Sequence, residues 1–369
     1  RLASVSKPFT AAIVLRLEEE GRLSLGQTVG EIAPSLSNAP GAKVTVAQLL
    51  SHRSGIPNYQ YKKPFQALQS QVLMSGIGSI PVTVDKMIAT FADDPLNFEP
   101  GERYEYSNSN YILLQKIIEI TTGRSFADAL SHYVTTPLGL TDTGIVDYRG
   151  VIPNLADGYG VRPGGYDAPL QAQFVGVASP GGLYSSAPDM LRWFRALFSR
   201  KFFEHEETLE RMIAARATAY NDESFIGYGL FQSSLTVGDE RVTMIGHDGW
   251  GPPFTTNIQY VPQKELIIFA ADSVSGLGGG THGETVRLAE DIVRMAFGQS
   301  IDTPAKPADL ALLSLIDEDG IEDAVVKYRS KIISAEPGPP LERELNGLGY
   351  AYLGSEDTDS AIQIFHLIV

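Results

Sequence analysis

The stretch RLASVSKPFTAAIVLRLEEEG, residues 1–21, decides the fold. From Phe9 to Leu17 it is apolar nearly all round, and a helix of that kind belongs inside a domain rather than on its surface. Ser4 is the expected N-cap, Pro8 falls in or beside the first turn, and Gly21 is a stop signal, so the pattern predicts a helix over residues 4–20. Such a helix needs partners on every side, and its head carries a serine and a lysine three residues apart.

Working outward, the partners are legible. Residues 44–59 read as a short helix followed by turns at Ser54-Gly55 and Ile56-Pro57. Helices are predicted over 86–93, 110–122 (closed by Gly123), 126–133 and 186–198. The stretch 139–182 is rich in Gly, Pro, Asp and Tyr, lacks periodicity and reads as a loop-dominated excursion. Four alternating or apolar runs, 225–235, 241–249, 254–262 and 265–272, predict an antiparallel meander, and a final helix ending by Gly298 would pack on it. Helices, then strands, then a helix give an α+β fold with one antiparallel sheet and a separate helical lobe. Residues 1–298 form the expected main domain, 299–309 a linker by composition, and 310–369 a helical tail.

Composition excludes several functions. The formal charge of −15 over 369 residues, with no basic run of useful length, argues against nucleic acid. The absence of cysteine removes disulfides, thiol catalysis and zinc–thiolate sites. None of the six histidines forms an HExxH-type pair, so neither a metal nor another cofactor is expected. No apolar run is long enough for a transmembrane helix.

Three patterns carry chemistry. In SVSK, Ser4 and Lys7 at i and i+3 share a helix face, where backbone N–H groups favour negative charge. A lysine there can hold the serine proton or tune the group that removes it. YSN, residues 106–108, follows a Pro-Gly turn and precedes a helix, where Tyr106 can act as a phenolate base if cations lower its pKa. GHDG, residues 246–249, falls on a predicted strand, with His247 facing the site and Gly249 permitting close backbone approach. Alone, each pattern also fits a plain cap, turn or strand residue.

In this order and spacing the three resemble the S-x-x-K, Y-x-N and K-T-G trio of the serine β-lactamase and penicillin-binding-protein superfamily, class C branch. LLSHRSGI (49–56), EPGERYEYSNSNY (99–111), SPGGLYSSAPDM (179–190) and GYGLF (227–231) look like the same branch, over about residues 1–298. The resemblance implies that Ser4 is the nucleophile, with Tyr106, assisted by Lys7, as general base. It implies that Asn108 bonds the substrate and Lys7, that His247 stands for the first lysine of K-T-G, and that the backbone N–H groups of Ser4 and Trp250 form the oxyanion hole. It further implies that the family's N-terminal helix and strands are missing, so the chain reads as an N-terminally truncated fragment with an exposed sheet edge. A periplasmic or secreted location is expected, and a cytoplasmic one stays open.

Two departures bear on substrate. His247 offers less positive charge than lysine, and Asp248 replaces a small hydroxyl residue. Both weaken a carboxylate pocket, which favours a small neutral ester, amide or peptide over a β-lactam, unless Asp248 merely points into solvent. His52 reads as a structural hydrogen-bonding residue, and Tyr159, Tyr166, Phe174 and Tyr184 either line the acyl pocket or pack the loop. The rival to an enzyme is a peptidoglycan sensor that acylates with little turnover.

In the tail, Leu345, Leu348-Gly349, Tyr352, Ala361 and Phe365 fit one tetratricopeptide-like repeat, a surface type suited to protein contacts. A plain helical hairpin fits as well.

Overall fold

The structure, a computed structural model, describes all residues except 75–78, 147–150, 163–164, 168–172, 176, 200, 252, 276–281, 302–307, 334–340, 356 and 368–369. The first helix differs from expectation at its head. Residues Ala3–Ser6 form a 3-10 turn that runs directly into α1 (Lys7–Glu19). Ser4 therefore lies inside a tight turn and is not an N-cap. The cause is local: Ala3 takes φ 46°, a left-handed value that non-glycine residues rarely adopt, and it winds the chain tightly before the helix starts.

Helix α1 is the centre of the molecule. Phe9, Ala11, Ala12, Ile13, Val14, Leu15 and Leu17 are all fully buried. Against it pack α2 (Asn108–Thr122) from the helical lobe and α3 (Ala187–Phe198), whose Trp193 stacks on Phe9 with ring centres 4.8 Å apart. Each large side chain buried here contributes roughly 1.5–3 kcal/mol, so the helix with no polar face is what the packing requires. Helix α2 begins two residues before its expected start and ends at Gly123, with φ 67°, as anticipated.

The sheet is antiparallel throughout, in the order β6-β5-β4-β3-β2-β1, with β1 (Ala217–Thr218), β2 (Ser224–Ile226), β3 (Phe231–Val237), β4 (Glu240–Gly251), β5 (Phe254–Val261) and β6 (Leu266–Asp272). The four-strand meander is thus six-stranded. The run expected as one strand over 225–235 is broken by Gly227 and Gly229. A Cβ on Gly229, at φ 71°, would stand 2.7 Å from Ala11 Cβ on α1, so only glycine lets the chain turn that close to the helix. Among the described residues β6 is an edge of this sheet. Helix α4 (His282–Ala296) covers the outer face, its Ala289 and Val293 meeting Val237, Val242, Met244, Val261 and Ile268.

Other boundaries move. The helix expected over 86–93 is Val84–Ile88, and the one over 126–133 is Phe126–Leu130 continued by a π-helical turn, Ser131–Thr135. The stretch 139–182 contains short ladders rather than loop alone: Gly144–Ile145 pairs with Leu183–Tyr184, and Tyr159–Arg162 with Gly165–Asp167. Turn-rich sequence of this kind carries no period, yet its backbone groups still find partners. Tyr159 and Tyr166 are exposed, and the Phe174 side chain lies outside the described residues.

Beyond the main domain stand α5 (Ala308–Asp319), α6 (Ile321–Ile333), α7 (Leu341–Gly354) and α8 (Thr358–Phe365). They share one apolar cluster built on Leu312, Ala324, Tyr328, Leu345, Leu348, Tyr352, Ala361 and Ile364. Gly349 has no room for a side chain because the Phe365 ring occupies that space. Most of the expected linker, residues 302–307, lies outside the described residues.

Candidate active site

Ser4 Oγ stands 2.9 Å from Lys7 Nζ and 2.9 Å from Tyr106 Oη, although Tyr106 is 102 residues away in sequence. The 3-10 turn explains the first distance, since residues i and i+3 eclipse in that geometry. Lys7 is completely buried, donates to Pro180 O at 2.7 Å, and lies 5.0 Å from the centre of the Tyr106 ring. Pro180 belongs to the SPGG turn, to which no role was assigned from sequence. Its carbonyl is the second anchor that fixes the amine over Ser4.

Tyr106 is held by the SHRSG segment. Glu105 N donates to His52 O at 3.0 Å and Ser107 N to His52 Nδ1 at 3.2 Å, while the His52 ring stacks on Tyr106 at 4.4 Å. Asn110 Nδ2, 3.2 Å from the same His52 nitrogen, and Ser54 Oγ, which donates to Asn110 Oδ1 at 2.6 Å, complete the network. With Nδ1 accepting, His52 carries its proton on Nε2. Its backbone takes φ 53°, the left-handed region again. The structural reading of His52 fits this place, but no local pattern points to Tyr106 as the residue it supports.

Electrostatics bears on how Lys7 and Tyr106 share their protons. Burial drives the Lys7 amine well below the ordinary lysine value, opposed by the charge of Asp248. Burial likewise lifts the Tyr106 phenol well above its usual value, with the Ser4 hydrogen bond acting the other way. A free amine beside a phenol and an ammonium beside a phenolate carry the same number of protons. The buried site favours the uncharged pair, because desolvation disfavours both ions. Both shifts point to a Lys7 amine beside a Tyr106 phenol rather than to an ammonium beside a phenolate.

Strand β4 forms the opposite wall. A Cβ on Gly249 would collide with Leu2 O and Thr256 Oγ1 and lie 3.2 Å from Ser4 N. The glycine thus permits approach of the Ser4 turn itself, where sequence reasoning placed a ligand. Thr256 Oγ1 donates to Leu2 O at 2.8 Å and locks that contact. Trp250 follows, between Gly249 and Gly251, with its side chain half exposed. His247 is buried, with its ring 5.0 Å from Phe231. Asn108 heads α2, but its amide donates to Gln60 Oε1 at 2.8 Å, whereas the partners of Lys7 among the described residues are Ser4 and Pro180. The expected Asn108–Lys7 bond is not formed.

The likeness to known proteins agrees with this architecture. Residues 1–278 match the Beta-lactamase family. Penicillin-binding protein 4* of Bacillus subtilis is 28% identical over 324 residues, 84% of this chain and 67% of that protein. Esterase EstB of Burkholderia gladioli is 31% identical over 65% of this chain and 67% of its own. Among solved structures, the octameric penicillin-binding protein homologue from Pyrococcus abyssi superposes with a TM-score of 0.67 at 26% identity, covering 84% of this chain and 69% of that one. The D-stereospecific amidohydrolase from Streptomyces sp. gives 0.66 at 25%, covering 74% and 82%. The chain belongs to the Beta-lactamase family and is an enzyme of the serine-hydrolase kind found there.

Proposed function

We propose that this chain hydrolyses an ester or amide through an acyl-enzyme on Ser4, with poor activity on β-lactams. The observation that carries the proposal is the Ser4 hydroxyl held at 2.9 Å by two groups of opposite proton affinity, Lys7 and Tyr106. As Ser4 Oγ attacks the carbonyl carbon, its proton passes to the neutral Lys7 amine. The new ammonium is held by Pro180 O, and the negative charge grows on the carbonyl oxygen. The N–H groups of Ser4, which a Cβ on Gly249 would approach to 3.2 Å, and of Trp250, the residue after Gly249, are the donors assigned to that oxygen, each worth on the order of 10²–10³ in rate. Tyr106, protonated and bonded to Ser4, relays the Lys7 proton to the leaving group as the carbon–heteroatom bond breaks. Water then repeats the sequence against the acyl-enzyme and restores Ser4. Asn108 and His247 are assigned to substrate contact.

The preference against β-lactams rests on Asp248, whose charge reaches Lys7, Tyr104, Tyr106 and Tyr220 and would repel a substrate carboxylate. Relatives named as an esterase and as a D-stereospecific amidohydrolase support the ester-or-amide range. Likeness to penicillin-binding proteins supports a site of action outside the cytoplasm. The test sets short-chain p-nitrophenyl esters beside a chromogenic cephalosporin, with Ser4→Ala as control. Ser4-dependent ester turnover with little cephalosporin turnover is the expected result; efficient cephalosporin turnover with no ester turnover would overturn the reading.

A further inference from the structure

Helix α2 buries one amide among apolar side chains. Ile112, Leu113, Leu114, Ile117 and Ile118 pack into the core, and Gln115 between them is only 2% exposed. Burying an amide is costly unless its polar atoms are bonded, and this one is spent on a turn. Gln115 Oε1 accepts from two successive backbone groups, Ala178 N at 3.0 Å and Ser179 N at 3.2 Å, while Nε2 donates to Glu119 Oε1 at 3.0 Å. Helix α1 holds the same turn from its own side: Thr10, fully buried, donates from Oγ1 to Ser179 O at 3.2 Å. Ser179 Oγ in turn donates to Tyr111 O on α2.

The next residue is Pro180, whose carbonyl accepts from Lys7 Nζ at 2.7 Å. Beyond it the chain is tied to the serine turn itself. Leu183 N donates to Ser6 Oγ at 3.2 Å, and Leu2 N donates to Leu183 O at 2.8 Å. Pro180 O is thus fixed between two anchored segments, one on the helices and one on the residues either side of Ser4. A carbonyl held there favours an ammonium over an amine, because hydrogen bonds from charged donors are the stronger ones. Its position sets where the Lys7 nitrogen sits over Ser4 and how readily that nitrogen takes the serine proton.

We propose that Gln115 and Thr10 are positioning residues for the reaction, acting on Lys7 through the Ser179-Pro180 turn. The consequence for rate rests on the hydrolase reading; the hold on Lys7 does not. The competing role is packing alone, in which the two side chains pair buried backbone groups and their loss lowers stability without touching Lys7.

The full chain, Gln115→Met and Thr10→Val are prepared with isotope-labelled lysine and titrated by NMR, the Lys7 signal being the one missing from Lys7→Met. Gln115→Met keeps the length of the side chain and removes its acceptor, and Thr10→Val keeps the branch and removes the hydroxyl. The titratable groups facing Lys7 are Tyr106, Tyr111, His52 and Asp248, and all four stay in place in both variants. The Lys7 midpoint is expected to fall by about one pH unit in Gln115→Met and by less in Thr10→Val. On a p-nitrophenyl ester, kcat of Gln115→Met is expected to fall about tenfold with KM nearly unchanged, and the acid limb of the profile to move with the Lys7 midpoint. A lower Tm with the Lys7 midpoint and the pH profile unmoved assigns the pair to packing and refutes the proposal. Where one variant fails to fold, the other carries the same two outcomes.

The two readings separate in the same samples. A Lys7 midpoint that moves in a protein with no Ser4-dependent turnover sinks the hydrolase reading and keeps the positioning. Normal turnover with an unmoved midpoint does the reverse.

Discussion

The cleft around Ser4 and the C-terminal helices are both well packed, but they bury different things. In the tail the buried side chains are almost all apolar: Leu312, Leu345, Leu348 and Ile364 meet around Ala324 and Ala361. Around Ser4 the chain buries Lys7, His52, Ser54, Ser107, Asn108, Asn110, Ser179 and His247. Burying such groups is costly unless each finds a partner, and a fold that needed only stability would fill the space with apolar side chains. The cleft keeps them, in a connected set running from Ser54 through Asn110 and His52 to the Tyr106 segment. The contrast separates what holds the molecule together from what lets it react.

Substitutions can break that contrast, and the largest effects belong to the cleft. Ser4→Ala is expected to lower kcat/KM on a p-nitrophenyl ester by about 10⁴-fold or more while leaving the thermal melt in place. Lys7→Met follows the same pattern with a loss of about 10³–10⁴. Because it removes a buried amine from among Tyr106 and Tyr111, it should not destabilise the fold, whereas a clear drop in Tm would show that Lys7 serves packing instead. Tyr106→Phe keeps the ring on His52 and removes the relay, so a fall of about 10² in kcat is expected with little change in KM. In the tail, Leu348→Ala opens a cavity costing about 2–5 kcal/mol of local stability, read by hydrogen exchange, with no change in ester turnover. A parallel loss of turnover would mean that the two regions are coupled.

The smallest effect is the most diagnostic of charge. In the proposed mechanism ester hydrolysis needs the neutral Lys7 amine, so kcat/KM is expected to rise as pH rises through the Lys7 pKa, which burial holds well below the usual lysine value. The Asp248 charge raises that pKa. Asp248→Asn therefore lowers it and moves the acid limb of the profile to lower pH, measured on an uncharged ester. A shift toward higher pH would contradict the arrangement.

How much of this was legible depends on the range of the interaction. The buried helix, the caps and the main meander follow from apolar patterning and turn residues, which are local. The serine, lysine and tyrosine were legible as spaced motifs, and their meeting came with the family resemblance. What could not be read was set by long-range contact. The break at Gly227 and Gly229 follows from how near the first passes to Met212 O and the second to Ala11 of α1. The left-handed backbone at Ala3 and His52 falls on residues that are not glycine and so carries no mark in the sequence. The direction in which Lys7 and Tyr106 are shifted turns on desolvation, which depends on depth of burial and leaves no trace in a motif.

The central claim is that Ser4 carries the acyl group during turnover. The full chain is mixed with a p-nitrophenyl ester, quenched in acid within the first turnovers, digested and examined by mass spectrometry. The acyl mass is expected on the peptide containing Ser4, absent from Ser4→Ala and greatly delayed in Lys7→Met. An adduct on another residue, or an undiminished p-nitrophenol burst from Ser4→Ala, would contradict it.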